Sequence, residues 1–364
     1  MKVIREFEDI WQKVQSQTPL SREDGYRLIQ SHNLAELSHM ADYVKTQKYG
    51  NKAFYTHSVN LNYTNICVLT CKFCAFAKKK GDEAAYVWEV EDIVKKVKSC
   101  AEKGIWEVHV VGGLHADLKL DYYEAMCREI KKACPGVLIQ GFTAVEIDFF
   151  ARLEKITIKE VLTRLKAAGL GGVPGGGAEI FAERPRKLVC ETKISAKRWL
   201  EVHEIAHSIG FNTNATMLYG HVETPAERVD HMMELRDLQD KTNGFLAFVP
   251  LAYQPENNQL DCKGTSGVTD LQVLATSRLM LHNFPHIRQL WNYVDTHLIH
   301  TALRFGVDDL GGTNFDETIA KEAGSVNQGY THDELNELIL KCGGQPEPIN
   351  STYTPIDKEH LVAA

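Results

Sequence analysis

Cys67, Cys71 and Cys74 fall within one stretch, NYTNICVLTCKFCAFA from Asn62 to Ala77, in a CxxxCxxC spacing. Three thiolates this close along the chain can bind three corners of an iron–sulfur cubane, whereas a structural zinc site normally closes its shell with four ligands. A cubane held by three cysteines keeps one iron without a protein ligand, and a substrate or cofactor can bind at that open position. The remaining cysteines, at positions 100, 127, 134, 190, 262 and 342, show no CxxC spacing. Buried free thiols, or a zinc loop that borrows a histidine, are the alternatives for the triad. A second ligand-like pattern is HEIAH, His203 to His207, an HExxH match with Glu227 as a possible third ligand of a zinc protease. Trp199, Val202, Ala206 and Ile209 define the apolar face of that helix, and the histidines lie on its border. The pattern therefore reads as packing on an outer helix, away from any reaction.

These residues must be positioned by a regular scaffold. Strand-like stretches occur at 54–60, 106–111, 138–143, 170–173, 212–217, 245–250, 289–292 and 306–309. Helical periodicity follows at 90–103, 121–134, 158–168, 196–209, 225–240, 269–282, 296–304 and 331–341. Eight strands, each followed by a helix, predict an α/β fold of the (β/α)8 TIM-barrel type, with an open doubly wound sheet as the alternative. Either fold places chemistry in the loops after the strand C-termini. Residues 1–49 read as an N-terminal helical extension that caps or flanks the main fold, with a capping box at Ser21 and Asp24. The barrel is expected over 50–345, and 346–364 as a C-terminal tail.

The chain has 364 residues, 44% of them hydrophobic, enough for a large core. Its formal charge of −7 argues against a nucleic-acid binder, which needs a basic face. The short basic run Lys78 to Lys80 reads as a solvated loop. No run of 18 apolar residues suggests a membrane span. Charges interrupt the opening residues MKVIREFEDI, so a secretory signal is not expected and a cytoplasmic enzyme with reduced thiols is. The sequence carries no signal of oligomeric state.

Cys67, Cys71 and Cys74, with the aromatic Phe73 just before the third cysteine, resemble the signature of the radical S-adenosylmethionine superfamily. The resemblance implies a 4Fe-4S cluster whose open iron chelates S-adenosylmethionine, and an electron from the cluster that cleaves it to methionine and a 5′-deoxyadenosyl radical. Further stretches narrow the likeness: VVGGLH (Val110 to His115), GFTAVEI (Gly141 to Ile147), GGVPGGGAEI (Gly171 to Ile180), NATMLYGHVET (Asn214 to Thr224) and FVPLAYQPENNQL (Phe248 to Leu260). Together they resemble the aminofutalosine synthase family of menaquinone biosynthesis, over about residues 50–315. Cyclic dehypoxanthinyl futalosine synthase, of the same pathway, shares several of these stretches and is the nearest alternative. FTAVEI and PLAYQPEN are the discriminators.

The family reaction joins S-adenosylmethionine, as radical source and co-substrate, to 3-[(1-carboxyvinyl)oxy]benzoate with loss of a carboxyl group, giving 6-amino-6-deoxyfutalosine. The resemblance implies that Cys67, Cys71 and Cys74 are the cluster ligands and that Gly112, Gly113 and Phe73 lie at the cofactor. Glu179 would accept from a ribose hydroxyl or the ammonium group. Gly220, His221 and Glu223 would meet adenine or substrate, with His221, Glu223 and Glu179 as catalytic candidates. His115, Asn214, Asn257 and Asn292, each at or near an expected strand end, are candidates for the two substrate carboxylates. A flavodoxin or ferredoxin is the implied electron donor. A non-catalytic iron–sulfur carrier is the remaining class, but such carriers normally ligate every iron with protein and need no barrel.

Overall fold

The computed structural model of the protein describes residues 6–294, 296–313, 316–325 and 330–356. The strands among them are β1 Lys52–Thr56, β2 Ser58–Leu61, β3 Glu107–Val110, β4 Leu138–Gly141, β5 Thr213–Tyr219, β6 Phe245–Ala252, β7 His286–Ile287, β8 Asp309–Gly312 and β9 Gln345–Pro348. Every pairing between them is parallel, in the order β8-β1-β9, β2-β3-β4 and β5-β6-β7. Three parallel bridges, Gln140 to Gly172, Val173 to Thr213 and Arg288 to Asp309, join these groups into a ring. Since β1 and β2 are one strand interrupted at His57, the ring has eight staves with helices outside it. The fold is a (β/α)8 barrel.

The Gly-dense staves depart most from the sequence pattern. Stave four shrinks to Gly172 and Val173, because Gly171 approaches Leu138 so closely that a Cβ there would lie 2.3 Å from its Cδ1, and Pro174 has no N–H to give a ladder. The seventh strand lies at 286–287, ahead of the expected 289–292. Trp291–Tyr293 is a 3-10 turn, which buries Trp291 and lets its indole N–H donate to Gly312 O at 2.7 Å. Gly306, at φ 88°, makes a turn where the eighth strand was expected to start, and β8 begins three residues later than that stretch.

Three α-helices among the described residues lie outside the expected pattern, Ala144–Glu154, Glu183–Cys190 and Ile319–Glu322. The first is buried on every face from Ala144 to Ala151 and meets solvent only at its last turn, so no amphipathic stripe marks it. At the N-terminus, Arg22–Ile29 and Leu34–Tyr49 pack on Pro225–Thr242 and Gly267–Met280, so they flank the barrel wall. The capping box of Ser21 and Asp24 is present.

The last described residues close the barrel's N-terminal end. β9 pairs with β1 from Lys52–Gln345 to Tyr55–Pro348, and the Trp106 indole donates to Ile349 O at 2.8 Å. The Ser351 amide and hydroxyl both donate to Glu107, each at 2.6 Å. Among the described residues, no helix is long and apolar enough to cross a membrane.

Candidate active site

The strand β2 delivers the chain to the cysteine loop, and backbone bonds fix that loop on several sides. Cys67 N donates to Lys78 O at 3.0 Å, Val68 N to Leu114 O at 3.0 Å and Lys72 N to Val189 O at 2.9 Å. The Lys79 ammonium donates to Cys67 O and Leu69 O at 3.0 and 2.9 Å. This corrects the reading of Lys78 to Lys80 as merely solvated: Lys79 satisfies carbonyls of the ligand loop that turn away from regular structure.

The chemistry of the donor set fits an iron–sulfur cluster. Burial pushes the Cys71 thiol up to about 12 and raises Cys74, so neither ionises without a cation close by. Backbone amides of Ala77 and Phe76 and the Lys193 ammonium all favour the Cys74 thiolate. A metal cluster would supply the remaining positive charge, and hydrogen bonds from amides to sulfur are among the features that tune such clusters. Lys193, which no sequence spacing marks, donates to Glu179 Oε1 at 2.6 Å and lies 5.2 Å from the centroid of the Phe73 ring. Burial opposes its charge, but Cys71, Glu179 and Cys190 together hold its pKa above the ordinary lysine value. Lys193 thus ties Glu179 to Phe73 of the cysteine loop.

The glycine loop after β3 packs directly on the segment leading into the cysteines. A Cβ on Gly112 would lie 2.6 Å from the Tyr63 ring, and one on Gly113 would lie 2.2 Å from Ile66 O. Glu146 locks the two loops together. Its Oε1 accepts from Tyr63 Oη at 2.8 Å and Gly112 N at 3.1 Å, while Oε2 accepts from the amide and hydroxyl of Thr143, both at 2.7 Å. FTAVEI is therefore a capping box whose glutamate braces the glycine loop. The T-x-x-E spacing was the available signal.

Below the rim, a cavity of ≈ 220 Å³ runs down the barrel axis. Alternate residues of the strands face it, including Ser58 and Asn60, Glu107 and His109, and Asn214 and Thr216. Its floor contains Arg288, bonded to Asp309 at 2.8 Å, and its upper end contains Tyr293 and Glu317. Burial raises the Glu317 carboxyl to about 7 against three backbone amides that favour its charge. Asn292 is 3% exposed with neither its amide oxygen nor its nitrogen bonded among the described residues. Asn214 Oδ1 and Thr56 Oγ1, also on the cavity, are likewise without partners. Buried polar atoms left in this state are costly unless a ligand or water pairs them.

The other expected site residues are placed elsewhere. His115 is buried, and its Nδ1 accepts from Asp117 N at 3.1 Å, which makes it a turn anchor. Asn257 is exposed, holds φ 55° and donates to Glu322 O at 2.9 Å. Glu223 is consumed within its own loop: it accepts from Gly220 N at 2.6 Å, His221 N at 2.9 Å and Arg228 Nε at 2.6 Å. His221 turns inward, with Nε2 3.1 Å from Leu218 O. Gly220, at φ 91°, permits this turn and touches Thr265. None of these five lines the cavity, and Glu223 with its partners braces the loop after β5.

The HEIAH helix, Ala196–Ser208, is on the outer layer. His203 Nδ1 and His207 Nε2 share Thr213 Oγ1 at 2.9 and 2.8 Å, and His207 Nδ1 meets Thr242 Oγ1 at 2.7 Å. Glu204 pairs with Lys241, and Glu227 caps its own helix and pairs with Arg184. Among the described residues, no group of three His, Cys, Asp or Glu is placed to hold a single metal ion.

Comparison with known proteins agrees with this geometry. Residues 61–235 match the Radical SAM superfamily, and residues 242–361 match the CofH/MqnC C-terminal region. The aminodeoxyfutalosine synthase of Thermus thermophilus is 43% identical over 353 residues, which cover 95% of each chain. The cyclic dehypoxanthine futalosine synthase of Streptomyces coelicolor is 37% identical, covering 94% of this chain and 86% of its own. Among solved structures, the FeFe-hydrogenase maturase HydG of Carboxydothermus hydrogenoformans superposes with a TM-score of 0.76 at 19% identity, covering 96% of this chain and 80% of that one.

Proposed function

Because the chain belongs to the radical SAM superfamily, in the group that contains the aminodeoxyfutalosine synthases, we propose that it joins the 5′-deoxyadenosyl group of S-adenosylmethionine to 3-[(1-carboxyvinyl)oxy]benzoate, forming 6-amino-6-deoxyfutalosine. The observation that carries this reading is the juxtaposition of a three-thiol loop with a polar barrel lumen containing unpartnered amides. When bound, the 4Fe-4S cluster supplies the electron that cleaves S-adenosylmethionine.

The chain's own residues bind and orient. Cys67, Cys71 and Cys74 hold the cluster. Gly112 and Gly113, whose missing Cβ atoms let their loop pack on Tyr63 and Ile66 and which Glu146 fixes, offer backbone groups to the methionine amine and carboxylate. Asn214 and Asn292 pair with polar atoms of the benzoate substrate. The close fit of the lumen keeps the enol-ether carbon beside C5′ and excludes water, conditions under which addition can outrun hydrogen abstraction. A flavodoxin or ferredoxin in the cytoplasm supplies the electron.

S-adenosylmethionine labelled in its adenine tests the reading. With the enol-ether benzoate present, label should appear mainly in 6-amino-6-deoxyfutalosine. Label mainly in 5′-deoxyadenosine, with dehypoxanthinyl futalosine cyclised, would assign the chain to the sister reaction.

A further inference from the structure

We propose that Lys193 and Glu179 form an opposed charge pair that sets the reduction potential of the cluster held by Cys67, Cys71 and Cys74, with Lys193 favouring the reduced form. The inference rests on the reading of that loop as a cluster site and goes beyond it by assigning roles to two residues that are not ligands.

Lys193 lies just beyond the helix Glu183–Cys190, and the segment carrying it is tied to the ligand loop at two points. Lys72 N donates to Val189 O at 2.9 Å, and Thr70 N donates to Thr192 Oγ1 at 3.2 Å. The side chain then turns inward, leaving it only 12% exposed, and its ammonium meets Glu179 at 2.6 Å above the ring of Phe73. An ammonium is a strongly hydrated charge, so withdrawing it from water is unfavourable unless nearby anions compensate. One carboxylate does so directly. The thiolates on the adjoining loop supply the rest.

A cluster with three thiolates gains one negative charge when a one-electron carrier reduces it. In a poorly screened interior, a fixed positive charge beside it stabilises the reduced state more than the oxidised one. The carboxylate of Glu179 acts in the opposite sense and partly cancels it. The ties hold the segment carrying Lys193 against the ligand loop, and the 2.6 Å contact holds Glu179 to Lys193. Removing either charge should therefore displace the potential, and the two displacements should have opposite signs.

The test is an anaerobic potentiometric titration of the reconstituted full-length protein, followed by electron paramagnetic resonance, without S-adenosylmethionine and with iron and sulfide assayed in each sample. Lys193→Met should make the midpoint more negative, Glu179→Gln should make it more positive, and Lys193→Arg should restore it. Fully loaded variants that shift in the same direction, or do not shift, would overturn the proposal. Should Lys193→Met fail to take up iron, the Glu179→Gln variant still decides, since a midpoint that does not rise contradicts the assignment. An unmodified protein that holds no four-iron cluster would overturn the underlying reading and this inference with it, whereas a loaded protein indifferent to both charges overturns this inference alone.

Discussion

The loop from Cys67 to Cys74 and the helical turn from His203 to His207 both carry metal-binding side chains at permissive spacings, yet the protein uses the two sets of donors in opposite ways. Three of the four histidine nitrogens are committed to Thr213 and Thr242, and the fourth, His203 Nε2, is buried and alone, with the ring packed on Trp199 at a centroid distance of 3.9 Å, so no second free donor stands beside it. The thiols face amides and an ammonium, groups that stabilise a thiolate but do not complete a metal shell. Spacing permits ligation, and the absence of a competing protein partner is what leaves a donor available for it. The same distinction separates Asn292, whose amide is unpaired on the cavity, from Glu223, whose oxygens are taken by its own loop.

The largest effect that would break this contrast is loss of the cluster. Cys67→Ala, Cys71→Ala and Cys74→Ala should each abolish iron uptake and turnover, while Cys127→Ala, buried in the wall, should retain both. Full iron loading in any triad variant would remove the basis for the assignment.

Next comes the unpaired amide. Asn292→Ala should raise KM for the enol-ether benzoate about tenfold, the loss of about 1.4 kcal/mol of hydrogen bonding, without changing iron content. An unchanged KM would place the substrate elsewhere.

On the histidine side, His203→Ala should lower unfolding stability by about 1–3 kcal/mol through the lost bond to Thr213 and the lost packing. Turnover per folded, iron-loaded chain should stay essentially constant. Inactivity of a folded and loaded His203→Ala protein would contradict the outer placement of the helix.

The smallest effect is a pH dependence. Burial holds His207 down to about 4, below the ordinary value near 6.5 that it regains on unfolding. The unfolded chain therefore binds more protons between these values. The stability is fully present above about 6.5 and is lost as pH falls through about 4. The melting temperature should decline across this window, and His207→Gln should shallow the decline. An identical slope in the variant would mean that His207 is not held neutral.

Legibility in the sequence followed the same division. The cysteine loop was readable because three ligands lie within eight positions of chain, and the eight-stave barrel because its strands and helices alternate. Lys193 was not, since its role arises from a contact between segments more than a hundred residues apart. Ala144–Glu154 was not legible because burial on every face over its first two turns erases the helical stripe, although Thr143 and Glu146 carry its start signal. The shift of β7 has a related cause: the stretch expected as a strand at 289–292 turns so that Trp291 enters the core while Asn292 faces the cavity. The mutual contact of His221 and Glu223 was not legible either, because position after a strand specifies the rim but not the direction of a side chain.

The central claim is that the triad leaves one iron open to S-adenosylmethionine. Electron paramagnetic resonance of the reduced, reconstituted protein, recorded before and after adding that molecule, tests it most directly. The account predicts a reduced four-iron cluster whose spectrum changes on addition and whose signal is absent from the Cys71→Ala protein. A cluster signal that S-adenosylmethionine leaves unaltered would contradict it.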